Sequence, residues 1–130
     1  MCMKRHSAGF TLVEILIVTM VIGLLTTILI PNMMRIKLLA NETAAKATLK
    51  SIAIGFENYA NDYNQYPDDP MVLVDTDPAY LLKDYFSGVY HGYTYSSKTS
   101  SFAYQVTATP INSNAGSQNF MILTGAVFAP

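Results

Sequence analysis

A predominantly apolar segment of 21 residues, Phe10–Ile30, contains a single charged side chain, Glu14. About 20 such residues are needed for an α-helix to cross hydrocarbon about 30 Å thick. Because lipid offers the backbone no hydrogen-bonding partner, a chain that enters it must satisfy its own amides and carbonyls, and a helix does so. The sequence therefore predicts one membrane-spanning helix.

The residues before the apolar segment are basic and end in a glycine: Lys4 and Arg5 are followed by Gly9. An ordinary secretory signal carries its small-residue cleavage site after the apolar region. Here the order is reversed, so cleavage at Gly9 would remove the basic stretch and keep the helix. Lys4 and Arg5 predict a cytoplasmic start and a head on the other side of the membrane, whereas Arg35 and Lys37 weakly favour the opposite orientation.

Glu14 is costly in a plain membrane anchor, because insertion scales assign about 2.5–3.5 kcal/mol to an acidic group deep in a membrane helix. A partner for the carboxylate would offset this cost, and stranding one member of a buried ion pair costs about 3–5 kcal/mol. Glu14 therefore indicates that its carboxylate has a partner group. The alternative is a carboxylate that reaches the headgroup layer and interacts with the helix dipole.

Five positions share one order and spacing with a known signal: Gly9, Phe10, Glu14, Gly23 and Pro31. The stretch resembles the prepilin signal of type IV pilins and of type II secretion pseudopilins. In that family a membrane peptidase cleaves after the glycine and N-methylates the next residue. The resemblance implies cleavage between Gly9 and Phe10 and methylation of Phe10. It also implies pairing of Glu14 with the N-terminal amine of a neighbouring subunit, a contact that sets the register between subunits.

The end of the apolar segment carries helix-weakening residues. Pro31 has no amide hydrogen and frees the carbonyl of Thr27, while Gly23 adds backbone freedom upstream. The hydroxyls of Thr26 and Thr27 can bond freed carbonyls, as in other membrane helices. We therefore predict that the segment Gly23–Pro31 bends or melts when subunits pack, with a static kink as the alternative.

Beyond Pro31, apolar residues recur at three- and four-residue steps as far as Tyr63, which predicts an amphipathic helix. The remaining 67 residues can hardly hold a core alone, so the helix must supply one face of it. The predicted fold class is α+β, the pilin fold that the resemblance implies. Its parts are a leader at 1–9, a transmembrane and polymerisation segment at 10–31, an amphipathic helix half at 32–63 and a small antiparallel β-sheet head at 64–130.

Within the head, Asp77 and Pro78 predict the cap and first residue of a short helix over Ala79–Phe86. Glu42 and Glu57 are assigned to the polar face of the long helix. Strands are predicted at Tyr90–Ser96, Ser101–Ala108 and Asn119–Phe128. The second of these alternates, which predicts that one face carries Phe102, Tyr104, Val106 and Ala108.

Composition argues against several function classes. Eight basic and nine acidic residues, or six and nine once Lys4 and Arg5 are removed, indicate no nucleic-acid surface. The single cysteine, Cys2, falls in the predicted leader, so no disulfide is expected. His91 lacks a neighbour at metal-ligand spacing and is predicted to lie on a strand surface. We assign no catalytic residue, metal site or cofactor, and calcium binding stays a minor alternative for Asp68, Asp69, Asp75, Asp77 and Asp84.

The sequence thus predicts a structural subunit of a type IV pilus-like filament, not an enzyme. The resemblance implies as partners further copies of the chain, a prepilin peptidase and methyltransferase, and an inner-membrane assembly platform. The chain would begin as a single-pass protein of the bacterial inner membrane and end in a periplasmic or cell-surface filament. A major pseudopilin of a type II secretion system is the nearest alternative. A non-polymerising single-span protein with a binding head is a more distant one.

Overall fold

The structure of the chain is a computed structural model that describes residues 9–129, so most of the predicted leader lies outside the described residues. The described chain divides after Arg35 into two compact units, which are considered in turn. The elements, in chain order, are α1 (Leu12–Tyr63), α2 (Val72–Asp75), β1 (Val89–Tyr90), β2 (Tyr93–Ser100), β3 (Ala103–Pro110), β4 (Phe120–Leu123) and β5 (Val127–Ala129).

The first unit contains the N-terminal part of α1, which starts at Leu12. Every side chain from Leu12 to Arg35 is exposed in the isolated chain, large apolar ones included. Within the described residues, α1 is the one helix long and apolar enough to cross a membrane by length and composition. An apolar surface of this extent needs lipid or protein around it.

In the second unit, residues 36–63 of α1 bury one face against a sheet. The fully buried side chains recur at three- and four-residue steps, as the sequence predicts: Ala45, Leu49, Ile52, Ala53 and Phe56. The buried face of the helix ends before Tyr63, the residue to which it was predicted to extend, because Tyr63 is 54% exposed. The amphipathic half of the helix therefore provides one layer of the core.

The second layer is a five-stranded antiparallel sheet in the order β1-β2-β3-β4-β5. The β2–β3 hairpin is its longest ladder and runs from Tyr93↔Pro110 to Ser100↔Ala103. Alternate residues face α1, and this buried face is formed by Tyr93, Tyr95, Tyr104, Val106, Ala108, Phe120 and Ile122. A long N-terminal helix with a small antiparallel sheet confirms the predicted α+β, pilin-like class.

Helix and sheet meet most closely around Phe56, whose ring stacks on that of Tyr104 with centroids 4.6 Å apart. The adjacent Gly55 is buried, and a Cβ atom at this position would lie 2.9 Å from Leu81 Cδ2. The loop that carries Leu81 approaches α1 closely at this point. This explains why α1 has a glycine here, although glycine otherwise weakens helices.

The predicted helix over Ala79–Phe86 is wrong: the residues are irregular, and the short helix is α2 instead. Tertiary contacts determine this outcome. The amide of Leu81 donates to Leu73 O at 2.8 Å, and the Leu81 side chain is buried. Tyr80 donates its hydroxyl hydrogen to Asp62 Oδ2 at 2.6 Å. A helical turn would withdraw both groups from these partners.

Two predicted strands are divided by turns that need a left-handed backbone. His91 and Gly92, with φ of 55° and 78°, interrupt the strand predicted over Tyr90–Ser96, so His91 lies in a turn and not on a strand. The strand predicted over Asn119–Phe128 is likewise divided at Gly125, where φ is 80°. Such φ values favour glycine and tight turns.

Phe102 does not share the buried face of β3, because the strand begins one residue later at Ala103. The alternation of Tyr104, Val106 and Ala108 is confirmed, since all are buried. Phe102 instead occupies the turn of the β2–β3 hairpin and is 91% exposed.

Candidate functional site

The start of the described chain holds the predicted processing site. Gly9 and Phe10 are exposed and precede the first helical residue, Leu12. The side chain of Phe10 is 84% exposed. Proteases act on exposed, non-helical chain. The Gly9–Phe10 bond thus has the accessibility that the predicted cleavage requires.

Glu14 is tied to this start by a reciprocal set of hydrogen bonds with Thr11. The amide and the hydroxyl of Thr11 both donate to Glu14 Oε2, each at 2.8 Å. The amide of Glu14 donates to Thr11 Oγ1 at 3.2 Å. This is a capping box, in which two side chains satisfy free amides at a helix start. The sequence carries the T-x-x-E spacing of such a cap, although the cap is not among the sequence-based predictions.

The capping box orients the Glu14 carboxylate toward the start of the chain. Among residues 9–129, the hydrogen bonds that the carboxylate accepts from Thr11 end on Oε2. The second oxygen, Oε1, is therefore the natural acceptor for a further donor. An ammonium group would be chemically suited to it, because such a donor brings charge as well as hydrogen.

The residues predicted to weaken the helix lie inside a continuous α1 in the isolated chain. Nothing lies within 4 Å of a Cβ atom built on Gly23, so contacts within the described residues do not explain this glycine. Thr26 donates to Ile22 O and Thr27 to Leu24 O, each at 2.7 Å. Both acceptors lie one turn before the threonines, and neither is the Thr27 carbonyl that Pro31 frees, so the bonding of freed carbonyls stays a prediction.

In the second unit, Glu42 is buried, not solvent-facing, and holds the loop between β3 and β4. Ser117 donates its amide to Glu42 Oε1 at 3.0 Å and its hydroxyl to the same oxygen at 2.6 Å. The neighbouring Asn41 Nδ2 donates to Ala115 O at 3.1 Å. Ala115 and Gly116 are buried, so the loop is anchored on α1.

Glu42→Gln is expected to make the head about 1–2 kcal/mol less stable at pH 7, because a charge-assisted pair of bonds becomes neutral. The bonds from Ser117 lower the pKa of the Glu42 carboxyl below its ordinary 4.5. A lowered pKa contributes stability above the ordinary value and loses it as the pH falls through the folded one. The difference between wild type and variant should therefore shrink in acid.

Urea denaturation of the full chain in detergent, followed by circular dichroism at several pH values, measures this difference. A gap that stayed constant from pH 7 into the acid range would contradict the assignment of Glu42.

Glu57 is a second carboxylate that the sequence analysis placed on the polar face but that accepts bonds from the head. Tyr104 and Tyr66 donate their hydroxyls to its two oxygens at 2.9 and 3.1 Å, and the Gly125 amide donates at 2.7 Å. Burial, followed by the bond to Glu57, raises the pKa of Tyr104 well above its ordinary value. Glu57 therefore joins α1, the segment after it and the turn between β4 and β5.

Two of the aspartates that could have suggested calcium serve local bonds. Asp84 accepts from the amides of Phe86 and Ser87, and Asp69 accepts from the Met71 amide. Hydrogen bonds from the Ser87 side chain and from the Phe86 amide lower the pKa of Asp84. The bond to Asp62 raises the pKa of Tyr80 to about 12. No group of three or more His, Cys, Asp or Glu suited to a metal ion occurs between Gly9 and Ala129.

Comparison with known proteins identifies the N-terminal segment. Residues 4–30 match the family described as the prokaryotic N-terminal methylation motif. The matched range contains the predicted cleavage bond and Glu14, and it ends one residue before Pro31.

Curated proteins of three kinds are similar to the chain. The type IV wide pilus major component PilA4 of Thermus thermophilus is 37% identical over 70 residues, which are 54% of this chain and 53% of PilA4. The type II secretion system core protein G of Pseudomonas aeruginosa is 36% identical over 64 residues, 49% and 45% of the two chains. The competence protein ComGC of Halalkalibacterium halodurans is 36% identical over 63 residues, 48% and 62%. The alignments thus span about half the length of PilA4 and of core protein G.

Proposed function

We propose that this chain, which carries the prokaryotic N-terminal methylation motif and resembles type IV pilus and type II secretion components, is a structural subunit of a type IV pilus-like filament. It would be made as a precursor, cleaved between Gly9 and Phe10, methylated at Phe10 and polymerised through residues 10–31. The observation that carries the proposal is the match over residues 4–30, which includes the scissile bond and Glu14.

The geometry of the first unit supports polymerisation. Its apolar side chains are exposed around the whole helix, so they can pack on lipid before assembly and on other copies afterwards. The capping box holds the Glu14 carboxylate in the first turn of α1, next to the end that cleavage would create. Pairing with the methylated amine of a neighbouring Phe10 would then fix the axial register, because a misplaced subunit leaves a charge unpaired in apolar surroundings.

We further propose that the segment Gly23–Pro31 is helical in the free subunit and loosens on packing. Pro31 cannot donate to the carbonyl of Thr27, and Gly23 has no side chain to pack. The threonine hydroxyls that bond backbone carbonyls in α1 offer an alternative set of partners for a loosened backbone.

The proposed partners are further copies of the chain, a prepilin peptidase and methyltransferase, and an inner-membrane assembly platform. The proposed location is the inner membrane and then a periplasmic or surface filament. The role is structural and not catalytic. A pseudopilus of a type II secretion system is the second candidate, which the similarity to core protein G favours. A pilus would extend from the cell surface, whereas a pseudopilus would stay in the periplasm. Recovery of the filament from sheared cell surfaces therefore distinguishes the two candidates.

Replacing Gly9 by a large residue tests the processing step. Gly9→Arg should leave the precursor uncut, because the proposed peptidase would have to accommodate a large side chain where it binds glycine. Immunoblotting of membrane fractions should show the full-length chain and no shorter product, with filaments absent. Gly88→Ala is a control for glycine loss elsewhere and should be cut normally, because a Cβ atom at Gly88 comes no closer than 3.4 Å to its neighbours. Normal cleavage of Gly9→Arg would contradict the assigned bond.

A further inference from the structure

Phe102 has no role within its own subunit that explains an aromatic side chain. It forms, with Ser101, the two-residue turn between the paired residues Ser100 and Ala103. Neither residue has a positive φ, so the turn accepts most residue types and does not itself call for an aromatic side chain. Burial does not explain it either, because the side chain is 91% exposed. We refer to this exposed ring as the hairpin knob.

The knob lies beside an acidic stretch of chain. The amide of Tyr66 donates to Ser101 O at 3.1 Å, and Thr99 Oγ1 donates to Asp68 O at 2.7 Å. These bonds hold the hairpin turn against the segment that follows α1. Asp68 and Asp69 are both exposed there. An apolar ring flanked by negative charge is therefore presented at this end of the second unit.

A groove of about 370 Å³ is lined by residues of α1, β4 and the edge strand β5 and by the residues just before β4. Its aromatic wall includes Phe128, which is 42% exposed, and Phe120. The ammonium of Lys46 lies 4.6 Å from the centroid of the Phe120 ring, so the groove carries a positive charge. The lining residues are Lys46, Gln118, Asn119, Phe120, Phe128 and Ala129. We refer to this as the edge groove.

The knob cannot enter the groove of its own subunit. Ala103 pairs with Ser100 at the hairpin turn, whereas Ala108 pairs with Phe120 at the groove. Five residues of strand separate the two levels, which is about 17 Å at 3.3 Å per residue. The two features thus lie toward opposite ends of the sheet, and only another molecule can bring them together.

We propose that the hairpin knob of one copy docks in the edge groove of the next copy. This inference rests on the proposed function, since it names a contact between the heads of a filament. A cavity of about 150 Å³ accommodates a benzene ring, so the groove has room for the ring of Phe102. The charges also match, because Asp68 and Asp69 flank the knob and Lys46 lines the groove. Two different surfaces in contact form a head-to-tail interface, which extends into a filament when it does not close.

Cysteine cross-linking tests the contact in filaments of the full chain. In a Cys2→Ser background, Ala103→Cys, which keeps the neighbouring Phe102 ring and lies at an exposed position, combined with Asn119→Cys should give dimers and a ladder of higher multimers with a short bis-maleimide. Either cysteine alone should give no ladder. Leu82→Cys combined with Asn119→Cys is the matched control, because Leu82 is 99% exposed but belongs to a different loop. Equal cross-linking of the two pairs would overturn the proposal.

Phe102→Ser provides an independent measurement. The exposed position predicts an unchanged unfolding midpoint of the free subunit. Loss of an aromatic anchor from an interface is expected to lower the yield of sheared filaments about tenfold. If the Phe102→Ser variant gave as many sheared filaments as the wild type, docking of the hairpin knob would be rejected. The proposed function would stay intact. If the wild-type chain formed no filaments and kept its leader, the proposed function itself would fail.

Discussion

Glu14→Ala is expected to insert in the membrane and to be cleaved before Phe10, but to reach sheared filaments at less than about one-hundredth of the wild-type level. If Glu14 pairs as proposed, the variant leaves the methylated amine of a neighbouring Phe10 without its carboxylate. Stranding one member of a buried ion pair costs about 3–5 kcal/mol, which corresponds to at least two orders of magnitude in an equilibrium. Quantitative immunoblotting of sheared and membrane fractions measures this ratio.

Glu14→Gln separates the charge from the capping box. Glutamine at this position can still accept the bonds from Thr11, since capping boxes use either residue. It cannot pair with a cation as a carboxylate does. We therefore expect Glu14→Gln to fail in assembly almost as completely as Glu14→Ala. Filaments of Glu14→Gln at the wild-type level would show that helix capping, and not charge, is what assembly requires.

Glu57→Ala is expected to lower the free energy of unfolding of the head by about 2–3 kcal/mol. It removes the acceptor of three donors, and the hydroxyl of Tyr104 belongs to a side chain that is only 2% exposed. A buried donor left without a partner costs about 1–3 kcal/mol. Urea denaturation of the full chain in detergent, followed by near-ultraviolet circular dichroism of the tyrosines, measures the loss.

Two variants define the controls for Glu57. Glu57→Gln keeps an acceptor and should lose less stability than Glu57→Ala. Asp62→Asn changes an exposed carboxylate that accepts one tyrosine hydroxyl, so its effect should be smaller still. A Glu57→Ala head as stable as the Asp62→Asn head would mean that Glu57 does not join the helix to the sheet.

The elements that the sequence predicts correctly are those set by local pattern. The face of α1 from Ala45 to Phe56 follows from spacing alone, because a helix places residues three and four apart on one side. The alternation of Tyr104, Val106 and Ala108 follows in the same way from the strand period. In both elements enough residues follow the pattern for the prediction to hold even where a single residue departs from it.

The wrong predictions occur where contacts between residues distant in sequence determine the local structure. The chain at Ala79–Phe86 has a plausible helix cap, but Leu81 bonds Leu73 and packs on Gly55 instead. Phe102 fits the alternation of β3 and still lies outside it, because the hairpin turns one residue before the strand begins.

The same distinction between neighbouring and distant residues applies to the candidate functional site. Gly9, Phe10 and Glu14 are recognisable because the resemblance depends on a fixed spacing of residues close together in sequence. Glu42 and Glu57 could not be distinguished from solvent-facing residues, since their partners lie 75 and up to 68 positions away.

The mass of the N-terminal peptide tests the central claim most directly. Sheared surface and membrane fractions of the native cell would be digested and analysed by mass spectrometry. The proposed function predicts a peptide that begins with N-methylated Phe10, in sheared filaments for a pilus and in the membrane fraction for a pseudopilus. A chain that begins at Met1 in every fraction would contradict processing at Gly9 and leave an uncleaved membrane protein.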